Sequence, residues 1–105
     1  MRNEIEIAAE IGQFYPTDGN WLALEALLEE LWAAGPSAHC LPALFTIFER
    51  FPNEDGAGVF WSILHGLEHL GLPYEKELRE SLARQESEMG AVMLSRLEKA
   101  KPPER

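Results

Sequence analysis

Residues 21–37 read Trp21-Leu22-Ala23-Leu24-Glu25-Ala26-Leu27-Leu28-Glu29-Glu30-Leu31-Trp32-Ala33-Ala34-Gly35-Pro36-Ser37, and this stretch decides the fold. Leu24, Leu27, Leu28 and Leu31 recur at intervals of three and four, the spacing of one face of an α-helix. Asn20 stands where an N-cap is wanted, since its short side chain accepts from unpaired first-turn amides. Gly35-Pro36 ends the helix in the expected order, glycine at the C-terminus and proline after it. Ser37 then opens another helix over about 38–51, with Leu41, Leu44, Phe45 and Phe48 inward and Pro42 near the first turn, where a missing N–H costs little.

The same pattern extends outward in both directions. Before it, a helix over about 3–14 places Ile7, Ile11 and Phe14 on one face, and the 15–19 segment, rich in Pro and Gly, breaks it. After it, a helix over about 54–70 carries Phe60, Ile63, Leu64 and Leu67, with Asn53 expected as N-cap and Glu54 and Asp55 expected to favour the helix dipole in its first turn. Gly71 and Pro73 stop it. Helices over about 74–85 and 88–100 follow, the second capped by Ser87. On the fifth, Glu75–Arg79 and Glu80–Arg84 are expected as i,i+4 surface pairs. No segment alternates with period two. The expectation is an all-α domain over 1–100 with a flexible tail over 101–105. Its six helices form three antiparallel hairpins in a right-handed HEAT-like stack, a compact closed bundle being the alternative.

Composition bounds the function. With 105 residues there is room for one core. At 46% hydrophobic residues the chain is too apolar for disorder. One cysteine excludes an internal disulfide scaffold. Eighteen acids against nine bases give a charge of -9, which opposes nucleic acid as a partner. No apolar run reaches the length of a membrane span. No signal-peptide pattern is seen either, so the expected compartment is the reducing cytoplasm.

The charge is unevenly placed. Residues 3–49 hold eight acids and no Lys or Arg, whereas residues 50–105 hold ten acids and eight bases. Solubility accounts for any single exposed Glu. A run this long without a base also sets up a field that attracts a basic partner.

The strongest chemical motif is His65-Gly66-Leu67-Glu68-His69, which matches the H-x-x-E-H pattern of inverted zinc peptidases. Histidines one turn apart could share a metal, with Glu68 as base. A zinc hydrolase needs a third protein ligand, and few candidates follow His69, so this is the least favoured reading; the plain one is a packed His65 beside a solvated Glu68 and His69. Gly66 in mid-helix suggests a close helix contact. Cys40 beside His39 at a helix start has a nucleophile's composition, yet neighbouring side chains on a helix diverge by about 100°. A buried structural thiol is the expectation. Neither catalytic, cofactor-binding nor metal-ligating residues are assigned. The residues expected to meet a protein partner are Glu25, Glu29, Glu30 and Trp32 on the second helix and Asp55, Trp61 and Glu68 on the fourth. Trp is enriched at binding hot spots, although for each Trp helix packing is the plainer reading.

One longer pattern carries a resemblance. It runs Phe51-Pro52-x-x-Asp55-Gly56-x-Gly58-Val59-Phe60-Trp61-Ser62-Ile63-Leu64-His65-Gly66-Leu67-Glu68, then Tyr74-Glu75-x-x-Leu78-x-x-Ser81-x-x-Arg84-x-x-Ser87, then Met93-Leu94-x-Arg96-Leu97. This resembles the small bacterial immunity proteins encoded beside polymorphic or contact-dependent toxins. It covers a little under half the chain, and Glu86 stands where the pattern has Pro. The resemblance implies a non-enzymatic protein that neutralises a cognate toxin by tight contact, without a cofactor; the acidic half would suit a basic toxin such as a nuclease. It also implies that Ser81, Arg84 and Arg96 tie the last two helices together. The alternative is a helical adaptor or regulatory protein for another basic partner.

Overall fold

The computed structural model describes residues 3–100, and the expected tail over 101–105 lies outside them. Six α-helices and no strand occur among the described residues: α1 (Glu4–Gly12), α2 (Leu22–Ala33), α3 (Leu41–Arg50), α4 (Val59–Leu70), α5 (Glu75–Arg84) and α6 (Glu88–Ala100). Short 3-10 turns at Thr17–Gly19, Ala38–Cys40 and Gly56–Gly58 precede α2, α3 and α4.

Local chemistry fixes most of the ends. α1 begins with a capping box: Asn3 Oδ1 accepts from the Glu6 N–H at 2.9 Å, and the Asn3 N–H donates to Glu6 Oε1 at 3.2 Å. Asn20 Oδ1 accepts from the Leu22 N–H at 3.1 Å, one residue ahead of the helix proper. Ser87 Oγ accepts from the Gly90 N–H at 3.1 Å and starts α6 as expected.

The start of α4 differs from expectation. Asn53 does not cap it, and Glu54 and Asp55 lie before it rather than in its first turn. Gly56, Ala57 and Gly58 take φ of +59°, +54° and +91°, three left-handed residues in succession that no α-helix accommodates. The Asp55 carbonyl instead accepts from the Gly58 and Phe60 amides at 3.0 and 3.1 Å. Gly56 also faces rings: a Cβ there would lie 2.8 Å from Phe60 Cδ1 and 3.2 Å from Trp21 Cε3.

The helices lie in two rows. α3 packs between α1 and α5, and α4 packs between α2 and α6, with α6 also crossing to touch α3. The consecutive pairs α1–α2 and α5–α6 join the rows at the two ends. In the middle, Phe48 of α3 meets Phe60 of α4 with ring centroids 5.3 Å apart. The first and last pairs are thus separated by α3 and α4, and the molecule extends 48 × 28 × 21 Å. The described residues form a compact all-helical globule of six helices.

Ile7, Ile11, Leu24, Leu28, Leu31, Leu44, Phe45, Phe48, Phe60 and Ile63 are buried between the rows. Trp21 sits at the junction, 5.1 Å from Phe51, 5.4 Å from Phe60 and 5.9 Å from Phe14 by ring centroids. It is a packing residue. Arg50, the first base after residue 2, turns inward: its Nη1 donates to the Gly12 carbonyl at 2.9 Å and its guanidinium lies over Tyr15 and Phe51. It thereby satisfies an open carbonyl at the end of α1.

The polar ties between helices connect different partners from those expected. Ser81 and Arg84 of α5 both reach Glu49 of α3, at 2.8 Å and 2.9 Å. Arg84 therefore serves an inter-helix bridge rather than the expected surface pair with Glu80. Arg96 of α6 donates through Nε and Nη2 to both oxygens of Glu68 on α4, each at 2.8 Å. So Ser81 and Arg84 tie α5 to α3 and Arg96 ties α6 to α4, while α5 and α6 are joined by a different pair, Arg79 with Glu98 at 3.7 Å. The Glu75–Arg79 pair forms as expected at 2.9 Å.

Candidate interaction face between α2 and α4

The expected partner-binding residues do not form one patch. Glu30 is half-buried on the α1 side of α2, beside Glu10 and Leu27. Asp55 is exposed in the turn before α4. Both oxygens of Glu68 are engaged by Arg96. That bridge is the main reason the Glu68 carboxyl is held below the usual carboxylate range, against an opposing effect of partial burial.

Of the remaining four, Glu25 and Trp32 meet α4 across the seam, whereas Glu29 and Trp61 lie on the exposed surface of the same two helices. Glu25 and Trp32, seven residues apart, share the line of α2 that faces α4. Glu25 Oε1 accepts from Ser62 Oγ at 2.8 Å. Trp32 lies over Gly66, where a Cβ would stand 2.6 Å from Trp32 Cε2 and 2.8 Å from Cη2. The close approach expected of Gly66 is therefore an indole seated on backbone. Glu29 points to solvent. Trp61 is 38% exposed, and its ring lies 6.1 Å from that of His65 one turn on.

Glu25, Trp32 and His65 border an open groove of about 690 Å³, with Ser62 beside Glu25 at one end and His69 and Leu70 at the other. Ser62, His69 and Leu70 were not expected in a partner site, although the column Trp61, His65, His69 is legible as an i,i+4 series. His65 is exposed rather than packed at the core edge. Neither α2 nor α4 contains a Lys or Arg. The groove's fixed charge is therefore negative and its walls are aromatic and aliphatic, a composition able to take a basic or amphipathic protein element.

The other chemical candidates resolve differently. Among the described residues, no group of three or more His, Cys, Asp and Glu is placed to hold a metal ion. Cys40 is buried, and burial, helped by the Glu4 charge, pushes its thiol up to about 11. A thiol held protonated in this way is a poor nucleophile. His39 is exposed, with Nδ1 3.0 Å from Ser37 Oγ, so the two neighbours diverge as helix geometry requires. No helix among the described residues is long and apolar enough to cross a membrane.

Comparison of the chain with protein-family models, with curated proteins and with solved structures finds no match.

Proposed function

We propose that the protein is a toxin-neutralising immunity protein, which binds and inhibits a basic bacterial effector through the α2–α4 face without turnover. The observation that carries this reading is the groove itself: Trp32 and Leu70 beside Glu25, with Trp61 and Glu29 exposed on the same two helices, which carry no basic residue. Desolvated aromatics supply contact energy, and the negative surround supplies steering. The motif resemblance over residues 51–97 supports the same reading.

Co-expression with the product of a neighbouring toxin gene tests it. A stable, stoichiometric complex that abolishes the toxin's activity is the expected result. Trp61→Ala and Glu29→Lys probe the face without touching the core, because both side chains reach solvent. Each is expected to weaken the complex by at least about tenfold, as central interface residues do. Full neutralisation by both variants would remove this face, and failure of any neighbouring toxin to bind would remove the function.

A further inference from the structure

We infer that His65 and His69 form a two-point binding site for a divalent transition-metal ion of the zinc, nickel and copper class. The site uses neither Glu68 nor a hydrolytic step, and it stands independently of the toxin-binding reading.

The two histidines are four residues apart on α4, a helix of 12 residues. Side chains at that spacing stand one above the other, with Cβ atoms about 5–6 Å apart. A tetrahedral ion with Zn–N bonds of about 2.0–2.1 Å needs its two nitrogens about 3.3 Å apart, which two imidazole rings reach from that base. The same offset places the paired histidines of helical zinc motifs on one ion. Both side chains here are exposed and border the same groove, so neither must leave a packed position.

The surroundings favour a cation. Neither α2 nor α4 contributes a Lys or Arg. Glu25 borders the groove, and the adjacent Arg96 charge is matched by Glu68. The Trp61 ring, 6.1 Å from His65, shields one side of that imidazole and limits its orientations. With two protein ligands the other coordination positions go to water, and binding is reversible rather than structural. Imidazole donors select zinc, nickel and copper over magnesium and calcium, which prefer oxygen.

The test uses the full chain with no affinity tag. Zn²⁺ is titrated calorimetrically, and Ni²⁺ is titrated while indole fluorescence is followed, since a bound paramagnetic ion quenches the nearby Trp61. The expected result is one saturable site. His65→Asn and His69→Asn should each weaken it by at least about tenfold, because either change removes the second, intramolecular ligand. His39→Asn should leave it unchanged. Unaltered circular dichroism and thermal midpoints in metal-free buffer establish that the variants fold. Three outcomes overturn the inference: no saturable binding by the wild type, binding that survives either α4 substitution, or equal binding of Mg²⁺.

Discussion

Replacing Gly66 by Ala sets two effects of comparable size against each other, and the structure decides the sign. In an exposed helix interior the change stabilises by about 1 kcal/mol, since Ala has the higher helix propensity. At Gly66 the new methyl would lie 2.6 Å from Trp32 Cε2 and 2.8 Å from Cη2. Carbon atoms separated by less than 3 Å must move. The indole is the far part of a long side chain, but it is also seated between two helices. Overpacking of this kind costs about 1–3 kcal/mol. Complete ejection of Trp32 would be dearer, because a half-buried indole still covers on the order of 100 Å², worth about 2.5 kcal/mol. A local shift is therefore the cheaper response, and with several ring atoms in conflict its cost falls in the upper part of the range. Gly66→Ala is expected to destabilise by about 1–2 kcal/mol, lowering the thermal midpoint by roughly 4–8 °C per kcal/mol. Trp32→Ala removes the obstacle. In that background Gly66→Ala should become stabilising by about 1 kcal/mol, a coupling of about 2–3 kcal/mol across the pair. Urea unfolding of the wild type, both single variants and the double variant, read by circular dichroism with a common slope, measures the cycle. Stabilisation by Gly66→Ala in the native background, or the same loss with and without Trp32, would refute the packing argument.

Glu49→Ala removes the acceptor of Ser81 Oγ, a hydroxyl that is 1% exposed, and is expected to cost about 1–3 kcal/mol in chemical denaturation. Gly56→Ala combines a φ of +59° with a Cβ 2.8 Å from the Phe60 ring; strain of about 1–2 kcal/mol and crowding together should destabilise by about 2–3 kcal/mol. The same assay reads it, and an unchanged midpoint would mean that the turn relaxes freely. Acid sensitivity should track two carboxylates. Burial alone would raise Glu49, but hydrogen bonds from Arg84 and Ser81 outweigh it and the net shift is downward; Glu68 is lowered chiefly by its bond to Arg96. Groups lowered in the folded state stabilise above their unfolded value of 4.5 and lose that contribution as pH falls through the folded value. Stability should thus decline below about pH 4.5, and less steeply in a Glu49→Gln, Glu68→Gln double variant; identical profiles would contradict these assignments.

What the sequence disclosed follows from the range of the forces involved. Leu24, Leu27, Leu28 and Leu31 announce their helix because burial of one stripe is a local, periodic demand, and all four are buried. The cap at Ser87 is equally local, whereas Asn20 bonds the Leu22 amide from one residue before the N-cap position of α2, which Trp21 occupies. Partners across helices were not legible. Arg84 has Glu80 four residues earlier on its own helix, yet it reaches Glu49, 35 residues away, because α5 lies against α3. Arg96 finds Glu68 for the same reason. The start of α4 was missed through a competing principle. Two acids after an Asn resemble a helix N-terminus, but the two glycines of Gly56-Ala57-Gly58 permit left-handed backbone and delay the helix to Val59. Within the candidate site, the spacing of Glu25, Glu29 and Trp32 puts all three on one side of α2 away from the leucine stripe, yet only Glu25 and Trp32 border the groove, and Glu29 points to solvent. That Glu25 and Trp32 face α4 rather than solvent is a tertiary fact, and it makes both residues part of the scaffold as well as of the groove.

That dual role bears on how the acidic half can act. Glu4 accepts from Ser37, Glu6 from the Asn3 amide and Glu25 from Ser62, so these carboxylates are not loose surface charges. Hydroxyl and amide donors nevertheless leave each carboxylate its full charge, whereas Glu49 is matched by Arg84. A field acting over a Debye length of about 10 Å at 0.1 M salt counts charges, not free side chains. Steering and contact are thereby separable in the proposed complex: the field is spread over several helices, while the proposed contact rests on Trp32, Trp61 and Leu70. For the proposed complex, the association rate should fall steeply as salt rises, and no single substitution among Glu4, Glu6, Glu25 and Glu29 should remove that dependence. Trp61→Ala should instead act on dissociation. Stopped-flow association at a series of ionic strengths, with surface-captured dissociation beside it, separates the two. A salt dependence erased by one Glu substitution would assign steering to a local ion pair and overturn the distributed-field argument.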